Sequence, residues 1–431
     1  MIGRLSRRLA GRSDATWVAL LFLAAATPRL LLVVVRRTEP LPSEMTNVAW
    51  TFATRGYLGD PYLVPTGPSA HIAPGYPILL AQLMRFAGGR AEGVFLGQIL
   101  SALVTALCIA FLPVVARRLG LPRAAGIVAA AVLVPPIFVF IETASEWETP
   151  FIVAAMMLCL ALTLPVLFAS RFDVRRGAVL GALWGASCLV APLLAPVCVG
   201  IHAVALVHWR DRWRAFVPYL AGLLGVAALV LTPYLLRIQH DLHGFAFVRS
   251  NFGLELAVSN NDSARLTLDD NVKRGAGMSS HPFQSETEAR RVRRLGELSY
   301  NRERMAEAKT WIASHPARFA TLTAQRFMLF WVPRSKRIYQ SVLFAVVLVG
   351  TLGFFFTRGR WRQYPALTFA AVSVAYASVY TLVQTDARYS YPLLWLHTLL
   401  ASTFVLERLG LVDYWPLYRS TSDGSRLAGP A

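Results

Sequence analysis

Ten apolar runs constrain this chain more than any other feature. They fall near 16–35, 93–116, 124–141, 149–170, 177–191, 194–209, 215–237, 338–356, 363–384 and 390–407, and each is about 15 to 24 residues long. At 1.5 Å per residue, a bilayer core of about 30 Å needs about 20 residues of helix. The two shortest runs reach that length with a few added residues. Only 16% of the chain is charged and 55% is hydrophobic, whereas a soluble domain carries about 25% charge. The fold class is therefore read as an all-α polytopic membrane protein with about ten transmembrane helices. Two shorter apolar stretches, 74–86 and 319–331, are read as interfacial helices in outer loops.

The net charge of +19 does not point to nucleic acid, because the arginines sit in short clusters between apolar runs. With Arg4, Arg7, Arg8 and Arg12 on the cytoplasmic side, so are Arg117/Arg118/Arg123, Arg171/Arg175/Arg176, Arg210/Arg212/Arg214, Arg358/Arg360/Arg362 and Arg408. The short loops on the other side hold almost no Lys or Arg, as the positive-inside rule requires. Four modules follow: 1–237 with a long first outer loop at 36–92, an outer loop at 238–337, closing helices at 338–410 and a cytoplasmic tail at 411–431. The first run has an Arg-rich lead and Ala24-Ala25-Ala26. About 20 apolar residues exceed a usual signal core, so an uncleaved helix is expected. The four cysteines, 108, 159, 188 and 198, all lie in apolar runs and form no CxxC site.

This topology gathers Glu44, Asp60, His71, Glu142, Glu146, Glu148, Asp386 and Arg388 at one face, with the 238–337 loop. Glu44 follows the first helix; it is either a cap for a helix starting near Met45 or a base whose carboxyl the apolar surroundings raise. Glu142, Glu146 and Glu148 crowd one short segment with no cation close in sequence. Three acids near lipid are exposed, paired or used. No His/Asp spacing supports a metal site; a divalent ion is conceivable but unsupported, and no cofactor is expected. His71 opens HIAPGYP, which includes Tyr76. It is a loop histidine or a phosphate donor. Arg388-Tyr389, in TDARYSYP after Asp386, is a headgroup anchor or a fork-shaped phosphate donor. Arg29, inside the first run, needs a carboxylate or phosphate partner. From Ser285 to about Ser314 the apolar spacing is helical, and His315-Pro316 ends it. Walker A, GxGxxG, HExxH and GxSxG motifs are absent from the sequence, which removes the chemistries they serve.

In this order the motifs resemble the GT-C superfamily of polytopic glycosyltransferases, near the protein O-mannosyltransferases and lipid A aminoarabinose transferases. The matching residues are Glu44, the HIAPGYP element, Glu148, NFGLELAVSNND (Asn251–Asp262), WIASHPARF (Trp311–Phe319) and DARYSYP (Asp386–Pro392). The resemblance implies a sugar donor on a polyprenyl phosphate and a lipid, glycan or protein acceptor. It also implies an integral membrane protein of the bacterial inner membrane that works on its outer side. Glu44 becomes the candidate general base, with inversion at the anomeric carbon. His71, Arg388 and Arg29 become donors to the leaving phosphate, and Tyr76, Asp60, Glu146, Asp386 and Tyr389 further candidate substrate contacts. The mannosyltransferases usually carry Asp-Glu where this chain has Ser43-Glu44, so Asp60 or Glu148 could also serve as base. No further domain follows the last run in this sequence, so acceptor recognition is expected from 36–92 and 238–337. The alternative is a polytopic lipid or oligosaccharide transporter or flippase. That class usually shows mid-span charges and inverted repeats, and neither is prominent here. A non-catalytic assembly subunit is a third reading.

Overall fold

The computed structural model describes residues 13–36, 42–143, 147–335 and 337–412. Among them the secondary structure is helical, with two isolated β-bridges, Gly59–Pro68 and Thr267–Thr385, and no strand. Each apolar run except 124–141 lies on one helix. The first half contains α1 (Asp14–Val35), α2 (Glu44–Arg55), α3 (Gly75–Ala87), α4 (Arg90–Arg118), α5 (Arg123–Leu133), α6 (Val139–Thr143), α7 (Thr149–Phe168), α8 (Val174–Val190), α9 (Leu194–His208) and α10 (Trp213–Leu242). A polar segment follows, with α11 (Phe252–Ser259), α12 (Leu268–Arg274), α13 (Ala276–Ser280), α14 (Glu286–Leu295), α15 (Glu297–Ser314) and α16 (Pro316–Trp331). The chain then closes with α17 (Ile338–Phe356), α18 (Tyr364–Leu382) and α19 (Ala387–Arg408).

Six of these, α1, α4, α7, α10, α17 and α18, are long and apolar enough to cross a bilayer. The others under the expected spans are shorter or less apolar; α5 has 11 residues and α9 has 15. The expected 124–141 span is broken. Helix α5 stops at Leu133 because Pro135 and Pro136 lack the amide that would continue it and restrict the residue before them. The carbonyls freed at the break are taken by Arg29, whose Nη1 donates to Val134 O at 2.8 Å and Nη2 to Leu133 O at 3.0 Å.

Lipid-type packing is visible between α8 and α10. Gly177 and Gly181 lie one turn apart, and a side chain at either would collide with the carbonyls of Tyr219 or Leu223 on α10. Small residues at this spacing let two backbones approach closely, which replaces the hydrophobic drive that lipid cannot supply. At one end of the bundle the two long polar segments, 36–92 and 238–337, fold into short helices. Ser43 caps α2, and its side chain exchanges hydrogen bonds with Thr46 as a capping box. Gly56 ends α2 with φ at 81°, a conformation that costs glycine little. The periodic stretch from 285 to 314 is two helices, divided at Gly296 with φ at 79°. Helix α15 ends at Ser314 and α16 starts at Pro316, as His315-Pro316 requires.

Candidate active site

The two polar segments and the ends of α7, α18 and α19 enclose a cavity of about 550 Å³. Glu44, His281 and Glu255 line one side of it, and Arg249, Glu148 and Arg388 also line it. Ile152, Pro192, Leu193, Pro196 and Val379 supply an apolar wall from the membrane helices. Residues separated by some 340 positions thus share one space.

Glu44 opens α2, the position the capping box presents. Its Oε1 lies 2.9 Å from His71 Nε2 and 3.8 Å from His281 Nε2. His71 is fully buried, and its Nδ1 meets the Tyr62 hydroxyl at 2.9 Å. His281 is also 3.8 Å from Glu255 Oε1, and its Nδ1 accepts the Phe283 amide at 3.2 Å. Burial pushes the Glu44 carboxyl up, but His71, His281 and Arg249 outweigh it and hold the group at about 2. This reverses the expected raised carboxyl: three cations or proton carriers, remote in sequence, surround the residue in space. Burial likewise raises Glu255, yet His281 and His71 bring it below its ordinary range. Burial lowers His281, and Glu255 and Glu44 more than offset that, so it sits above its ordinary range.

Arg249 and Arg388 form the cationic side. Arg249 donates from Nε to His71 O at 2.9 Å and brings Nη1 to 3.7 Å from Glu148 Oε1. Arg388 stacks over Trp147 at 4.7 Å and donates to the Tyr389 hydroxyl at 3.0 Å. Tyr389 in turn stacks on Tyr380 at 4.3 Å. Stacking on aromatic faces keeps a guanidinium flat while leaving its edge N–H groups free to meet an oxyanion.

Glu44, His71, Glu148, Arg388 and Tyr389 are therefore brought together, with His71 behind Glu44. Four other candidates are not. Arg29 is buried and paired with Glu142 at 2.9 Å, and Tyr391 also holds Glu142 at 3.1 Å. The partner it needs is a protein carboxylate and not a phosphate. Asp60 organises its own loop: Oδ1 accepts the Thr66 and Gly67 amides at 2.8 Å each, and Oδ2 accepts Tyr57. Tyr76 is buried on α3 against Phe151, with ring centroids 4.8 Å apart, and lies outside the cavity lining. Asp386 caps α19 by accepting the Arg388 amide at 2.9 Å, so it aims Arg388 without lining the cavity. Glu146 lies outside the described residues. Three cavity residues escaped the sequence reading: Arg249, Glu255 and His281. Glu255 lies within the NFGLELAVSNND stretch, but nothing marks Arg249 or His281 in a single sequence, because His71 and Glu44, which they approach, lie 178 and 237 positions away.

The same cluster could hold a cation. Glu44, His71 and His281 each offer one ligand atom, and these atoms lie within 4.8 Å of one another. Glu44 Oε1 and His71 Nε2 are buried and complete no aligned hydrogen bond despite their closeness. One carboxylate with two imidazoles is a donor set that suits zinc or a similar transition ion, with a position left open.

Comparison with known proteins bears on the same region. The family model described as dolichyl-phosphate-mannose-protein mannosyltransferase matches residues 71–236. A solved oligosaccharyltransferase of Archaeoglobus fulgidus, tethered to an acceptor peptide containing the NVT sequon, is similar to the chain with a TM-score of 0.53. The two are 14% identical, over 92% of this chain and 50% of the other. The chain thus spans about half the length of that protein, and the likeness is one of fold. No curated protein matches it significantly.

Proposed function

We propose that the chain is a membrane glycosyltransferase of the GT-C superfamily, as the family model over residues 71–236 and the fold likeness support, and that it moves a sugar from a polyprenyl-phosphate donor to a hydroxyl acceptor. The observation that carries this reading is the one cavity lined by the Glu44 carboxyl, two guanidiniums and an apolar wall. The acceptor oxygen attacks the anomeric carbon from the Glu44 side. The acceptor O–C bond forms, the bond from that carbon to the phosphate oxygen breaks, and the configuration inverts. The hydroxyl proton goes to Glu44, and the electron pair of the broken bond leaves on polyprenyl phosphate. Arg388 and Arg249 receive that charge, as preorganised donors do at a developing oxyanion. A carboxylate near 2 is a weak base, but it is ionised at any working pH. The arginine pattern supports an active site on the extracytoplasmic side of the plasma membrane.

The convergence of one carboxylate and two imidazoles, with ligand atoms within 4.8 Å of one another, supports a second reading, in which Glu44, His71 and His281 would hold a divalent cation. Such an ion would supply Lewis-acid chemistry, with Glu44, His71 and His281 as its protein ligands.

Purified protein in detergent, given polyprenyl-phosphate sugars and simple glycoside or lipid acceptors, is expected to release polyprenyl phosphate. No release with any common sugar would overturn the proposal. Dialysis against EDTA separates the two readings. Undiminished release supports the carboxylate base alone, and loss restored by Zn²⁺ or Mn²⁺ supports the cation. For orientation, Ser263→Cys is exposed at the cavity end, while the native cysteines are buried or half-buried. It should react with an impermeant thiol reagent added outside cells; reaction only after lysis would invert the proposed topology.

A further inference from the structure

The segment Ser69-Ala70-His71 has every backbone polar group engaged, five of the six by residues outside it. Ser69 N donates to Leu58 O at 2.9 Å, and Ser69 O accepts Arg237 Nη1 at 2.8 Å. Ala70 N donates to Glu297 Oε1 at 2.8 Å, and Ala70 O accepts Ser250 N at 2.9 Å. His71 N donates to Ser69 Oγ at 3.0 Å, and His71 O accepts Arg249 Nε at 2.9 Å.

Glu297 is the hub of this arrangement. It is 6% exposed and opens α15. Its carboxylate accepts Ser69 Oγ and Ala70 N, and also Ser250 Oγ at 2.6 Å. One carboxylate therefore ties both polar segments together within two residues of His71. A charged acceptor makes such bonds short and strong. Helix α15 does not need this carboxylate to stay seated. It packs on α11, where Asn301 Oδ1 accepts the Leu254 amide at 3.1 Å and Gly253 lies against the Asn301 backbone.

We propose that Glu297 is a positioning residue for sugar transfer, acting through Ser69 and Ala70 to hold the His71 imidazole against Glu44. The inference rests on the proposed function only in that Glu44 and His71 are taken to work there. It holds whether His71 supports a base or ligates a cation.

The test is Glu297→Gln. The amide oxygen can still accept Ala70 N and Ser250 Oγ, but the amide nitrogen cannot accept the Ser69 hydroxyl. Small misplacement of a working group costs up to about a hundredfold in rate. A fall of about tenfold in kcat is expected, with the donor KM within about twofold. Ser69→Ala should move in the same direction by a smaller factor. In ¹⁵N-histidine-labelled protein, the imidazole signal that disappears in His71→Ala should shift in Glu297→Gln, while those of His202 and His397, deep in the bundle, stay in place. An unchanged kcat, or an unmoved His71 signal, overturns the proposal. So does a shift of all histidine signals with a large drop in Tm, which would mark a general structural role. If wild-type protein releases no polyprenyl phosphate, the proposed function fails, and the His71 signal still decides the role of Glu297.

Discussion

Two kinds of buried charge occupy this molecule, and they differ in whether the protein completes them. In the helical bundle, Arg29 meets Glu142 and three backbone carbonyls, and the Tyr391 hydroxyl completes Glu142. Toward the other end, Arg360 meets Glu407 and the Phe354 ring. These groups are closed by protein atoms. At the cavity, Glu44, His281, Glu255, Arg249 and Arg388 have partners, yet all line a space large enough for a ligand. Closed pairs hold a break or a helix end in place. Open ones remain available to a substrate. The lesson is that an intramembrane charge alone does not mark function; its accessibility to a cavity does.

The largest test of the contrast is Glu44→Gln. Loss of general-base action typically costs about 10²–10⁴-fold, so turnover should fall by that range while donor binding and Tm hold. Wild-type turnover in this variant would move the role to another group. Arg388→Gln comes next. Removing one preorganised donor costs about 10²–10³-fold in kcat, and single-turnover assays should show it in the chemical step.

Arg29→Met belongs to the other class. It leaves Glu142 buried without its cation, and breaking such a pair costs about 3–5 kcal/mol. Thermal unfolding in detergent should show that loss, and Arg29→Met combined with Glu142→Leu should recover most of it. Per folded molecule, turnover should stay within about threefold of wild type. A double variant that folds well but is inactive would erase the distinction. The smallest effect is expected at Asp60→Asn. Asparagine tolerates the positive φ of 55° at this site and can still accept the Thr66 and Gly67 amides. Its kcat should stay within about twofold, by direct comparison of release rates.

The same contrast explains what the sequence revealed. Helices were legible because apolar length and capping chemistry are local: Ser43 before α2 and His315-Pro316 between α15 and α16 fall where they were expected. The interruption at Pro135-Pro136 was also written locally, but a long apolar average hid it. Glu44 and Arg388 could be assigned to one layer because positive charge orders the loops. Partnership could not be read. Arg29 and Glu142 are 113 positions apart, and nothing local separates an arginine awaiting phosphate from one already matched. The Glu44 carboxyl was misjudged for the same reason. Apolar neighbours in sequence suggested a raised value, whereas His71, His281 and Arg249 converge on it only in the fold.

One measurement bears most directly on the account: polyprenyl phosphate released per folded molecule, compared between wild type, Glu44→Gln and the Arg29→Met/Glu142→Leu double variant. Glu44→Gln should lose release almost completely, and the double variant should keep near wild-type release. Full release by Glu44→Gln, or silence from the folded double variant, would contradict it.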